Sequence, residues 1–161
     1  MSKVELDGQD GSSDAAVYRR NADDLVRFAT VLVGPDDAQD VVSSAFGRCM
    51  ASRQWDDVID RRAYLFRAVS NEAKNLKRSA ARRRHREQAA PIERTIEVSI
   101  PRPDVRAAIE DLSVRQRAVV YLTYWHDMSE AMVAAHLGVS AGTVRRHLDR
   151  ARKKLREVLD E

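Results

Sequence analysis

The sequence predicts an all-α fold, two small helical domains joined by a flexible linker, the second of them a helix-turn-helix. Three observations carry this. Apolar residues recur at helical spacing through most of the chain, and no segment alternates as a strand would. Pro91, Pro101 and Pro103 fall in one aperiodic stretch that divides the periodic segments. A length of 161 residues with only 6% aromatics leaves room for one ordinary domain or for two small aliphatic cores.

The elements follow in order. Residues 1–13, rich in Gly, Ser, Asp and Gln, are expected to be a disordered tail. From Asp14, Tyr18, Ala22, Leu25, Ala29 and Leu32 mark one helical face. Gly34-Pro35 ends that helix and opens the next, with Pro35 in a first turn that Asp36 and Asp37 suit electrostatically. Ala38, Val42, Ala45, Phe46 and Cys49 form its stripe. After a break at Gln54–Ile59, Asp60 is positioned to cap a long third helix running to about Glu87. Its inner stripe is Leu65, Ala68, Val69, Ala73 and Leu76. Residues 88–103 are read as the linker, so the domains are 14–87 and 104–161. Pro103-Asp104 starts a helix with Val105, Ala108, Ile109 and Leu112 inward. Ser113-Val114-Arg115-Gln116 is a capping-box pattern ahead of Ala118, Val119, Leu122 and Trp125.

The segment Ser129–Arg156, SEAMVAAHLGVSAGTVRRHLDRARKKLR, carries the most information. Ser129 can cap a short helix, Gly138 supplies a turn where positive φ is cheap, and Ser140 can cap a second helix. Val144, Leu148, Ala151 and Leu155 turn that helix inward, which leaves Arg145, Arg146, Asp149 and Arg150 outside. A cationic outer face on an anchored helix suits the major groove of DNA. The long third helix has a comparable surface, with Tyr64, Arg67, Asn71, Lys74 and Arg78 on one stripe ahead of Arg82-Arg83-Arg84-His85-Arg86. An aromatic, an amide and several cations on one face suit single-stranded or melted nucleic acid.

Charge distribution agrees. Residues 1–60 carry 6 basic and 12 acidic side chains, whereas residues 61–86 carry 10 basic and 1 acidic. Residues 87–139 are mildly acidic and residues 140–161 are basic again. Two cationic blocks alternating with two acidic ones predict two nucleic-acid contacts and an oppositely charged surface for another partner. Cys49 is the single cysteine, which excludes an internal disulfide and a cysteine-based zinc site. Its place on an apolar stripe suits a small core residue. No apolar run reaches membrane-spanning length, and the N-terminus lacks the layout of a secretory signal, so a cytoplasmic protein without membrane insertion is expected.

The order of parts resembles that of the extracytoplasmic-function (ECF) sigma factors of bacterial RNA polymerase, over about residues 14–160. In the C-terminal half the resemblance rests on LSVRQRAVVYLTYW, followed by S-x-x-x-V-A-x-x-L-G-V-S-x-G-T-V-R-R-x-L-x-R-A-R-x-x-L. In the N-terminal half it rests on LVGPDDAQDVV, the Ala45-Phe46 pair and RAYLFRAVSNEAKNLKR. Ser43 and Ser44 stand where the family usually has Gln and Glu, Tyr64 where a Trp is common, and Met132 where a Glu is usual. The resemblance implies a protein that docks on core RNA polymerase through Asp36, Asp37, Asp40 and Ser43. It further implies that Arg62, Tyr64, Arg67, Asn71, Lys74 and Arg78, with the loop Arg53–Arg62, engage a melted −10 promoter element. Ser140, Gly142, Thr143, Arg145, Arg146, Asp149, Arg150 and Lys153 would then bind the −35 duplex. An anti-sigma factor is a further partner the family often has.

A competing function is a stand-alone helix-turn-helix regulator whose first half dimerises or senses a signal. It explains residues 104–161 but not the basic stripe with Tyr64 and Asn71. An enzyme is disfavoured. His85, His126, His136 and His147 form no metal-ligand spacing, and neither a phosphate-binding glycine loop nor a nucleophile elbow is present, so no cofactor or metal is expected.

Overall fold

The computed structural model describes residues 13–87 and 103–159, which hold helices and turns and no strand. Three helices form the first half: α1 (Asp14–Val33), α2 (Pro35–Ala51) and α3 (Arg61–Glu87). A 3-10 turn, Trp55–Asp57, lies between α2 and α3. The second half contains α4 (Pro103–Glu110), α5 (Val114–Tyr124), α6 (Glu130–Leu137) and α7 (Ala141–Leu159). The expected tail lies outside the described residues except for Ser13, which caps α1 by accepting from the Ala16 N–H at 3.2 Å. The expected linker lies outside them except for Pro103, the first residue of α4.

Each helix starts where the chain offers a side-chain oxygen or a proline. Asp60 Oδ1 accepts from the Ala63 N–H at 2.9 Å at the start of α3. Ser113 and Gln116 close both bonds of the capping box, at 3.2 and 2.9 Å. Ser129 and Ser140 accept from Met132 and Thr143 at 3.2 and 3.1 Å. Gly34 and Gly138 have φ of 92° and 65°, the region where a side chain would be strained. With the ends fixed, Leu25, Ala29 and Leu32 of α1 meet Val42, Ala45 and Phe46 of α2 and Leu65, Val69 and Ala73 of α3. In the second half Val119, Leu122, Val133, Val144 and Leu148 play the same part.

Aromatic positions differ from expectation in two ways. Trp125 does not turn inward: α5 ends at Tyr124, the period stops there, and Trp125 is 71% exposed with its ring stacked on Tyr121 at 6.1 Å. Trp55 and Phe66, which the apolar stripes did not include, are buried. Trp55 sits beneath the loop ahead of α3 and donates its indole N–H to Asp14 Oδ1 at 2.7 Å. Phe66 is covered because the two halves pack together. Its ring lies 5.0 Å from Phe28 of α1, 5.9 Å from His126 and 5.7 Å from His136.

The seam between the halves is also closed by two arginines, each capping a helix of the other half. Arg67 of α3 donates Nη2 to the Ala135 carbonyl in the last turn of α6, at 2.9 Å. Arg117 of α5 donates Nη1 to the Leu32 carbonyl in the last turn of α1, at 3.1 Å. Its remaining donors go to the Ile109, Glu110 and Leu112 carbonyls where α4 ends. Carbonyls of a last helical turn have no partner within their own helix and carry the negative end of its dipole, so a guanidinium is well matched to them.

Candidate nucleic-acid and polymerase interfaces

Between α2, the following loop and α3 lies an open cleft of about 380 Å³. Tyr64, Arg67, Ala68, Asn71 and Glu72 of α3 face Ala45, Arg48 and Cys49 of α2 and Gln54 of the loop. Three of the six residues expected at a melted strand are therefore brought together here: Tyr64, Arg67 and Asn71. The other three lie elsewhere. Arg62 is drawn toward α1, donating to Asn21 Oδ1 at 3.1 Å and Asp24 Oδ2 at 3.0 Å with its guanidinium over the Phe66 ring. Lys74 is half-buried beside the second half, and its ammonium is held below its usual pKa by burial and then by Arg115 and Arg78. Arg78 is exposed further along α3.

Gln54, from the expected loop Arg53–Arg62, also lines the cleft, and Arg48 and Glu72, which were missing from the expected set, complete it. Glu72 bonds Arg48 at 2.8 Å and accepts from the Ser44 hydroxyl at 3.1 Å, tying α2 to α3. One signal could have revealed it: Glu72 is the single acidic residue among the ten basic ones of residues 61–86. Cys49 lies at the cleft floor, where burial pushes its thiol up to about 11 and keeps it protonated. An aromatic face, amides and cations around an opening larger than one nucleobase can hold an unstacked base by stacking and hydrogen bonds.

The second surface is the outer face of α7. Arg145, Arg146, Asp149, Arg150 and Lys153 are all exposed, as are Ser140 and Gly142, with Thr143 half-buried. Arg145 is engaged by Glu130 Oε2 at 2.9 and 3.2 Å, and that bond holds its guanidinium above its usual pKa. Arg146 donates to Thr143 Oγ1 at 3.3 Å. Asp149 pairs with Arg152 at 3.8 Å and Lys153 with Glu157 at 4.0 Å. Inside the cationic turn, His147 is held below its usual pKa by burial and then by Arg115, Arg150 and Arg146.

The third surface is the outward face of α2. Asp36, Asp37, Asp40 and Ser43 are exposed there, and Ser43 Oγ accepts from Gln39 at 3.4 Å. Met132, in the position where the resemblance expects a Glu, is exposed on α6. Among the described residues no group of His, Cys, Asp and Glu is arranged to hold a metal ion. No described helix is long and apolar enough to cross a membrane.

A helix-turn-helix behind a three-helix unit, with cationic faces on both, has the form of a DNA-binding protein, and comparison with known proteins gives the family. Residues 17–83 match the model described as Sigma-70 region 2, and residues 102–155 match Sigma-70, region 4. The chain is 34% identical to the RNA polymerase sigma-E factor of Streptomyces antibioticus, over 89% of this chain and 83% of that protein. It is 31% identical to the ECF RNA polymerase sigma factor SigL of Mycobacterium tuberculosis, over 91% and 88%. The fold is shared with the sigma factor RpoE of Bartonella quintana, crystallised with the anti-sigma factor NepR, at a TM-score of 0.70 and 24% identity over 91% of this chain and 96% of that one. It is also shared with CnrH in complex with the cytosolic domain of CnrY, at 0.63 and 27% over 94% and 92%. The chain belongs to the extracytoplasmic-function sigma factors, the promoter-recognising partners of core RNA polymerase.

Proposed function

We propose that residues 14–87 dock on core polymerase and hold the melted −10 strand, and that residues 104–161 read the −35 duplex. The observation that carries this assignment is the pairing of two different cationic surfaces. The α2–α3 cleft has the stacking face and amides that unpaired bases need, and α7 has the convex cationic face a duplex groove needs. Asp36, Asp37, Asp40 and Ser43, exposed on α2 and outside the lining of the cleft, serve polymerase docking. Tethering through polymerase raises the effective concentration of one contact once the other forms.

The chain supplies no catalytic centre of its own in this scheme and acts in the cytoplasm, where polymerase works. An anti-sigma factor is an added partner, by extension from the complex of RpoE with NepR. The test is in vitro transcription from a library of genomic fragments with core enzyme. Start sites that share two spaced motifs and appear only when both the chain and core enzyme are present are the expected result. Protection of the same sites by the chain alone would favour the stand-alone regulator. Asp40→Arg should weaken binding to core enzyme with helicity unchanged; unaltered affinity would move the docking surface off α2.

A further inference from the structure

One side chain belongs to both the strand cleft and the seam between the halves. Arg67 lines the cleft with Tyr64 and Asn71, and its Nη2 is committed to the Ala135 carbonyl of α6. Contact is close. A Cβ placed on Gly138 would lie 2.6 Å from Arg67 Nε, so Gly138 serves both the left-handed turn and the approach of this guanidinium. The closed arrangement still leaves Arg67 incompletely served, because Nε is buried without a hydrogen-bond partner. An unmet buried donor costs free energy that a phosphate or base acceptor in the cleft would recover.

We propose that Arg67 is a clasp which the −10 strand and the second half compete for, so that an unpaired strand entering the cleft opens the seam. This rests on the assignment of the cleft to the melted strand. When the guanidinium turns to the strand, the Ala135 carbonyl loses its cap, and among the described residues the seam keeps Arg117 and its apolar packing. By linkage, whatever opens the seam raises strand affinity by the factor by which the strand favours opening. Closure therefore suppresses single-strand binding by the free protein, and opening frees the second half to reach a separate element.

The experiment uses the full chain and a fluorescein-labelled random 12-nucleotide single-stranded DNA pool, read by anisotropy. Seam opening is read by energy transfer between dyes at Asp23→Cys and Arg156→Cys in a Cys49→Ala background. Wild type should bind the pool weakly and lose transfer on binding. Gly138→Ala, which pushes Arg67 off α6, and Arg117→Met, which removes the other cap, should each lower transfer without DNA and tighten binding by about fivefold. Arg67→Ala should lower transfer and weaken binding. Circular dichroism verifies folding, and should Gly138→Ala fail to fold, Arg117→Met decides. Open variants with wild-type affinity, or strand binding without loss of transfer, would overturn the clasp. Wild-type binding that Asn71→Ala leaves unchanged would instead overturn the cleft assignment itself.

Discussion

Arg145 and Arg146 are neighbours that hold different things, and the difference assigns their roles. Glu130 draws Arg145 back toward α6 through two bonds to one oxygen, whereas Arg146 makes one long bond to a hydroxyl on its own helix, which a base edge can replace. Arg146 is also within the first two turns after the Ser140 cap, the part of a recognition helix that enters the groove. Arg146→Ala should flatten base preference at one or two −35 positions, a loss of about 1–3 kcal/mol of discrimination. Lys153 lies two turns further on. Lys153→Ala should weaken all sequences alike and reduce the salt slope by about one. In vitro selection with each variant separates the two; an unchanged motif for Arg146→Ala would pass base reading to Arg145. Cys49 calls for a different measurement. Its thiol is buried and pushed up to about 11, so at pH 8 it is almost wholly protonated. Reaction with a thiol reagent should be limited by opening of the α2–α3 unit, and prompt reaction of the folded chain would contradict this.

Helix starts were the most legible features of this chain, because each is set by a local group. Ser113, Ser129, Ser140 and Asp60 make the bonds their positions predicted. Ser113→Ala should remove the Gln116 N–H partner and cost about 1 kcal/mol in urea unfolding, with activity retained. The stripes of α2 and α7 were equally readable, since one face of each meets its own half. What escaped depends on distant packing. Phe66 breaks the expected α3 stripe because α3 is covered on a second side by the other half, which no local period records. Trp125 sits past the end of α5, where extrapolating the helical period fails. The cleft was half legible: Tyr64, Arg67 and Asn71 share a helix face and Gln54 belongs to the loop the resemblance indicated, whereas Arg48 reaches it from α2. Asn71→Ala should impair strand opening more than initial promoter binding, since a base reaches the cleft that Asn71 lines only once it is unpaired and unstacked. Permanganate reactivity against filter binding would show it, and equal loss at both stages would reduce Asn71 to a general contact.

The seam makes the stability of the two halves interdependent and gives it a pH dependence. His126 sits there with its ring 5.9 Å from Phe66 and 5.2 Å from Tyr121, and its Nε2 is buried without a partner. Burial holds its pKa below the usual 6.5; Asp24 pulls it up, while Arg62 and His136 push it further down. His147 is shifted in the same direction by burial and by Arg115, Arg150 and Arg146. The unfolded chain therefore takes up protons near pH 6.5 that the folded chain refuses until lower pH. Stability rises with pH wherever the unfolded state binds more protons. The stabilising contribution is complete above about pH 7.5 and declines as pH falls through 6.5 toward the depressed folded values. Thermal midpoints measured at constant ionic strength should be level from about pH 8 to pH 7 and fall between about pH 6.5 and pH 5. His126→Asn combined with His147→Asn should flatten that fall. If the double variant keeps the wild-type slope, the proton uptake lies elsewhere, and these half-buried imidazoles do not set the acid limit of the closed form.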